Sequence, residues 1–270
     1  MKRKQFIHSS GAALLGAMLL RNSSLDRFAT QVKEPAIGLQ LFTFFNEIDN
    51  DVEGTLKKIA GVGYKEIESA FSKKGGYYGM KPKEFGAMLK DLGLSWKSHH
   101  VLGAPFKMPA DYKPPTGPDG KPLTLPEMKN LRDNYQELID EVADAGVPYL
   151  VCANTPIGSV DEVNQSIATL NKASEAAKKA GIKLVYHNHD KEFETMDGKV
   201  IYERFLGETN ADTLKMELDL CWVAAAGVDP VDLFKKYPGR FPLWHVKDLN
   251  KTTYLNCGFS VFLFVLFLSK

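Results

Sequence analysis

From Ala36 onward, short runs of apolar and β-branched residues alternate with longer segments in which apolar positions recur every three to four residues. That alternation predicts strands joined by helical crossovers, an α/β protein built on a parallel sheet. The predicted strands are 36–44, 66–71, 94–102, 149–154, 183–190, 215–220 and 242–248. Helices are predicted near 51–60, where Leu56, Ile59 and Ala60 share a face, and over 83–92, 127–145, 161–180, 200–206 and 231–236. The 161–180 helix opens on acidic residues and stops at Gly181, the polarity that a helix dipole favours. Seven strands separated by helices predict a (β/α)8-type TIM barrel whose last βα unit is missing or replaced; a doubly wound open sheet is the alternative. Gly61-Val-Gly63 has the spacing of a dinucleotide loop, but it follows a helix and precedes a strand, the wrong order for one.

The strand pattern also sorts the polar side chains. Lys183–Asp190 reads Lys-Leu-Val-Tyr-His-Asn-His-Asp, so a period of two places Val185, His187 and His189 on one face. By the same count Glu217 and Asp219 share a face, as do His245 and Lys247. A lone histidine at a strand end is commonly just hydrogen-bonded in place. Three successive strands ending in metal-capable or proton-carrying groups point instead to a site, and in a TIM barrel sites lie at the C-terminal ends of the strands. Glu68, His99, His100 and Asn154 fall at the same end. His99 and His100 face opposite ways, so at most one enters the barrel mouth; for Glu68 a solvated strand-end carboxylate is the competing reading.

The remaining features bound these readings. A chain of 270 residues with 44% hydrophobic content suffices for one barrel domain. The formal charge of +1 offers no basic field for a nucleic acid. Residues 1–30 have a basic start, Met1-Lys-Arg-Lys, then an apolar run from Gly11 to Leu20. They resemble a twin-arginine-type export signal with Lys as the second basic residue and a break near Ala29, which implies a periplasmic protein; a cytosolic amphipathic helix is the alternative. The apolar run is too short for a comfortable membrane span and no Cys follows it to carry a lipid. Cys152, Cys221 and Cys257 are widely spaced and odd in number, so no disulfide framework or zinc ribbon is expected. The segment 103–126 contains seven prolines and reads either as a lid or as a surface loop.

Taken together, Tyr186-His-Asn-His-Asp190 with Glu192-Phe193, Glu217-Leu-Asp-Leu-Cys-Trp222, Ala226-Gly-Val-Asp-Pro230 and Pro238-Gly-Arg-Phe241 leading to His245-Val-Lys-Asp248 resemble the xylose-isomerase-like TIM-barrel superfamily, in particular its exported sugar phosphate isomerase/epimerase type. The resemblance covers about residues 36–250. It implies one divalent metal (Mn, Co, Fe, Zn or Mg) held by side chains of strands five to eight, with His187, Asp219 and His245 at the first three positions. Such a set of two histidines and a carboxylate leaves open metal positions for polarising a sugar carbonyl. His189, Glu68 and Lys247 are then the expected catalytic groups, and His99, His100, Asn154 and Glu217 the expected substrate-binding ones.

Two departures from the family pattern matter. His187 replaces the strand-five carboxylate, which favours a lyase using His189 as base over an epimerase with two carboxylates. Residues 251–270 contain no acidic residue, so the strand-eight glutamate is missing. This apolar tail either fills the place of the eighth strand or is an aberrant sequence, and the second reading predicts an unclosed sheet edge. The expected function is a metal-dependent isomerase or epimerase of a small-molecule sugar or keto-sugar. A keto-sugar or keto-cyclitol lyase and a non-catalytic carbohydrate-binding barrel are alternatives, and a DNA-repair endonuclease would need more ligands and a basic groove.

Overall fold

The computed structural model describes residues 36–107, 126, 128–247 and 264–267, the last four through their backbone. Eight strands close into a barrel: β1 (Ala36–Gln40), β2 (Glu66–Ser69), β3 (Ser95–Leu102), β4 (Tyr149–Asn154), β5 (Lys183–His187), β6 (Leu214–Asp219), β7 (Leu243–Val246) and β8 (Phe264–Phe267). β1 to β7 run parallel in sequence order. β8 pairs antiparallel with both β7 and β1, joining the two edges. The apolar tail thus occupies the eighth place, and the unclosed edge that the aberrant-tail reading predicts does not occur. An edge strand with unpaired N–H and C=O groups is unfavourable in water and invites other chains; Phe264–Phe267 pairs both edges at once. The proposed leader (1–30), Cys257 and residues 108–125 of the proline-rich segment lie outside the described residues.

Six of the seven described helices fall close to their predicted places: α1 (Val52–Val62), α2 (Pro82–Asp91), α3 (Leu131–Asp144), α4 (Val160–Lys179), α5 (Ile201–Glu208) and α7 (Pro230–Lys236), with α6 (Leu220–Ala225) unforeseen. Their starts are set by side-chain caps. Asp51, Asn130, Ser159, Asp219 and Asp229 each accept a hydrogen bond from a backbone N–H of the first turn. The 20-residue α4 depends on one such bond, Glu162 N–H to Ser159 Oγ at 3.2 Å. Ser159→Ala is therefore expected to lower stability by about 1 kcal/mol in chemical denaturation. Among the described residues no helix is long and apolar enough to cross a membrane.

Five predicted strands end early, β2 at Ser69 and β7 at Val246 among them, and the other three stops reshape the mouth. β1 stops at Gln40 and the chain turns through a 3-10 segment, Leu41–Phe44. β5 stops at His187, so His189 belongs to the following loop rather than to the strand face. β6 stops at Asp219 because that residue caps α6, a helix the periodicity did not reveal. A hairpin of Thr195–Met196 and Lys199–Val200 was likewise not foreseen.

The main core lies between barrel and helices, with Phe85, Ile139, Tyr186, Tyr202 and Phe205 among its sealed members. Each such burial contributes roughly 1.5–3 kcal/mol. Inside the barrel, Val151, Val185 and Leu243 form a small separate cluster. Val185 and Leu243 precede His187 and His245 by two residues on the same strand faces, so this apolar plug underlies the polar mouth.

Candidate active site

The polar mouth begins with a register shift. Ile67 pairs with Trp96 but Glu68 pairs with Ser98, leaving Lys97 as the extra residue of a β-bulge. Trp96 faces the helices, packing edge-on against Phe85 at 4.9 Å. Simple alternation from Trp96 would turn Ser98 and His100 outward too. The bulge reverses the count and brings both into the barrel, while His99 points the other way, onto Ser69 Oγ at 2.8 Å and beside the Tyr77 ring at 4.6 Å.

Two buried carboxylates organise the deeper layer. Glu68 is fully buried, which overturns the solvated reading for it. Its Oε2 accepts from Ser98 Oγ at 2.6 Å; its Oε1 lies 3.0 Å from Gln40 Nε2, 2.9 Å from His100 Nε2 and 2.7 Å from His245 Nε2. Glu217 Oε2 lies 3.0 Å from His100 Nε2, 3.0 Å from His187 Nδ1 and 3.2 Å from His245 Nε2. Burial opposes charge on every one of these groups, and the outcome depends on neighbours. For His100 and His245 the two carboxylates override desolvation and push the imidazoles up to about 9 and about 10. Glu68 is held well below the usual carboxylate range against its burial by those same two rings. Burial and the Glu68 charge raise Glu217 to about 7.

His187 and His245 each span two layers. His187 gives Nδ1 to Glu217 and turns Nε2 toward Asp219 Oδ2, 3.7 Å away. His245 gives Nε2 to Glu68 and turns Nδ1 toward the same oxygen, 3.6 Å away. Burial and the charges of His245, His189, His100 and Lys247 hold His187 well below its ordinary value; with Nδ1 on Glu217, its Nε2 is the nitrogen turned toward Asp219. Asp219 is locked in place: Oδ1 accepts from the N–H groups of Cys221 and Trp222, and Asn188 bonds both backbone groups of Asp219. Lys247 Nζ lies 2.6 Å from Asp219 Oδ2. Apart from that ammonium, Asp219 Oδ2 has no hydrogen-bond partner, nor has the buried His245 Nδ1.

Two groups of atoms could therefore hold a cation. The deep one is His100, His187, Glu217 and His245, with ligand atoms all within 4.8 Å of one another. The outer one is His187 Nε2, Asp219 Oδ2 and His245 Nδ1. The deep set is tied together through Glu217 Oε2 but keeps one buried atom without a partner, Glu217 Oε1; in the outer set His245 Nδ1 has none and Asp219 Oδ2 faces only the Lys247 ammonium. Its 3.6–3.7 Å spacings are close to the spread of about 3.4 Å expected between ligand atoms bound to zinc at roughly 2.1 Å in a tetrahedron.

Above the outer set lies a cavity of about 630 Å³, lined by Gln40, His100, His187, His189, Trp222 and Lys247, with His99 and Asn154 on its walls. His189 is 37% exposed in its side chain, stands 5.0 Å from the His187 ring, and has Glu192 behind it, with Nδ1 3.8 Å from Oε1. Asn154 is exposed at the end of β4. All ten predicted residues thus gather at one end of the barrel, but Glu68, Glu217, Asp219 and His245 are buried beneath the cavity wall rather than on it. Gln40 and Ser98 were not foreseen; the signal available for Gln40 was its place as the last residue of β1, and for Ser98 none existed without the bulge.

Among known proteins, the model of the xylose isomerase-like TIM barrel matches residues 56–262. Two solved structures described as sugar phosphate isomerase/epimerase of Parabacteroides distasonis ATCC 8503 resemble the chain. One is 27% identical over 84% of this chain and 79% of its own, with TM-score 0.63; the other is 28% identical over 78% of each, with the same TM-score. The probable 3-DHS dehydratase AsbF of Bacillus anthracis, 16% identical over 81% of this chain and 75% of its own with TM-score 0.56, shares the fold. No protein of curated function matches the chain. With the barrel, its polar C-terminal mouth and this match over most of the sequence, the chain belongs to the xylose isomerase-like TIM-barrel family.

Proposed function

We propose that the barrel is a divalent-metal-dependent isomerase or epimerase of a sugar or keto-sugar, with His187 Nε2, Asp219 Oδ2 and His245 Nδ1 as the metal-holding atoms. The observation that carries this reading is the pair of two-sided histidines, each tied by one nitrogen to a buried glutamate and presenting the other toward Asp219. Hydrogen-bonding the far nitrogen of a ligating histidine to a carboxylate orients the ring and raises its basicity. The name carried by the Parabacteroides structures supports the same substrate class.

A metal bound there would supply Lewis-acid polarisation of a substrate carbonyl or hydroxyl. The chain's own groups do the rest. His189, on the cavity lip and backed by Glu192, removes the proton from the carbon beside the carbonyl. Lys247, anchored on Asp219 and facing the same space, neutralises charge that develops on the substrate oxygen. Asn154 and His100 receive hydroxyls. Glu68 and Glu217 hold the rings and exclude water from beneath them.

Chelation is expected to abolish turnover and added Mn or Co to restore it; assistance of several kcal/mol corresponds to roughly 10³-fold in rate. In D2O the loaded enzyme should place deuterium on the carbon next to the sugar carbonyl. Full turnover after exhaustive chelation, or no turnover of any sugar or keto-sugar by the metal-loaded protein, would sink the proposal. A second reading, expulsion of a neighbouring hydroxyl after the same proton removal, is favoured by the absence of acidic residues over 251–270, where the family pattern places the strand-eight carboxylate. An unsaturated product in place of an isomer would select it.

A further inference from the structure

The polar floor accounts for only part of the cavity. One wall is built of aromatic rings that the chemistry above does not use: Phe42, Phe45 and Phe71 stand in series, with centroids 5.0 and 5.8 Å apart. They lie where β1 and β2 give way to loops, and they line the same cavity as His187 and Lys247. Phe42 is 47% exposed and Phe106, on the wall formed beyond β3, is 51% exposed. Apolar rings left contiguous and open to water commonly mark a binding surface. A cavity of about 630 Å³ falls in the range of roughly 300–1,000 Å³ that takes a drug-sized ligand, more space than one sugar ring fills.

Charge narrows the ligand further. Of the lysines lining the described cavity, Lys129 is held by Glu137 and Glu141 at 2.7 and 2.6 Å, and Lys247 by Asp219 at 2.6 Å. Lys81, the third, is exposed at the start of α2. Beside the aromatic wall, Lys73 Nζ stands 4.4 Å from the Phe45 centroid and donates to Asn46 Oδ1 at 3.0 Å; among the described residues lining the cavity, no buried lysine is left without a carboxylate to neutralise a phosphate.

We propose that the site takes an uncharged keto-glycoside, with the carbonyl-bearing sugar on the histidine floor and its aglycone or second ring stacked on the Phe42–Phe45–Phe71 wall, rather than a sugar phosphate. Flat apolar faces pack against the C–H face of a pyranose or against an aromatic aglycone, and each ring buried there adds contact area without a desolvated charge. This inference rests on the sugar reading above and deepens it.

Calorimetric titration of the metal-loaded protein with methyl glucoside, phenyl glucoside, cellobiose, glucose and glucose 6-phosphate tests it. Phenyl glucoside and cellobiose are expected to bind at least about tenfold tighter than methyl glucoside, the worth of one good ring contact. Glucose 6-phosphate should bind no tighter than glucose. Phe42→Ala, at a half-exposed position that tolerates truncation, and Phe45→Leu, which keeps apolar volume but loses the flat face, should each erase that preference and leave methyl glucoside unchanged. Tightest binding by glucose 6-phosphate, or an unchanged preference in both variants, overturns the inference. Equal binding of all neutral probes alongside turnover of free sugars overturns it alone and leaves the proposed reaction standing; no binding by any probe overturns both.

Discussion

Asp219→Asn is expected to strip the protein of divalent metal while leaving it folded. The two roles of Asp219 can be separated because different oxygens perform them. Oδ1 caps α6 through the N–H groups of Cys221 and Trp222, and Oδ2 faces His187 Nε2 and His245 Nδ1. Asn caps a helix about as well as Asp, but with its oxygen on the cap its NH2 group faces the Lys247 ammonium where Oδ2 stood, so the melting temperature should fall only modestly. Loss of the anionic ligand should weaken metal binding by well over the roughly 10–100-fold typical of changes one layer further out. Turnover should then fall by about the 10³-fold expected for removal of Lewis-acid assistance. Asp219→Ala should show the same metal loss plus about 1 kcal/mol of destabilisation from the missing cap. Metal content by mass spectrometry after dialysis, read beside calorimetric melting, decides the matter. An Asn variant that keeps stoichiometric metal would show that Asp219 is not a ligand.

The second large effect concerns stability. Glu68→Ala is expected to destabilise the barrel by roughly 3–5 kcal/mol, the usual result of deleting one side of a buried ion pair. The deletion leaves Ser98 Oγ, Gln40 Nε2 and the rings of His100 and His245 facing an emptied, water-free space. At roughly 2–4 °C per kcal/mol for a domain of this size, the melting temperature should drop by about 10 °C or more. A variant melting with the wild type would mean that the deep layer relaxes and Glu68 is dispensable. Glu217→Gln provides the contrast. If the metal sits in the outer set, Gln still contacts His187 and the variant loses only about 10–100-fold in metal affinity. If the deep set His100, His187, Glu217 and His245 is the ligand group, the same change removes its only carboxylate and the metal should be lost.

The two glutamates also explain why the mouth can be buried at all. Two carboxylates set among three imidazoles in a low-dielectric space are tolerable only with compensating positive charge. In the metal-free barrel, His100 and His245 carry it, raised by Glu68 and Glu217. A divalent ion brings the same quantity of charge from outside, so the environment is electrostatically prepared for one.

Much of this arrangement was present in the pattern of residues. The order of strands and helices follows from hydrophobic periodicity, which local packing enforces at each element. His187, Glu217, Asp219 and His245 were readable as site groups because each sits at the last turn of a strand whose period of two aims it inward. What periodicity could not reach is where a strand stops and how strands meet. His189 was placed on a strand face, but β5 ends at His187 and the loop carries it to the lip instead. His100 enters the barrel, rather than His99, because the bulge at Lys97 shifts the count by one, and a bulge is a property of a paired strand. Closure by Phe264–Phe267 was one of two readings the tail left open, since an apolar run acquires a direction only from the two edges it joins. The sequence by itself determined which metal-capable and proton-carrying residues stand at the strand ends and toward which end of the barrel they lie. The tertiary structure decided which nitrogen of each histidine is committed to a glutamate and which faces Asp219, because that choice depends on contacts between strands 30 to 177 residues apart.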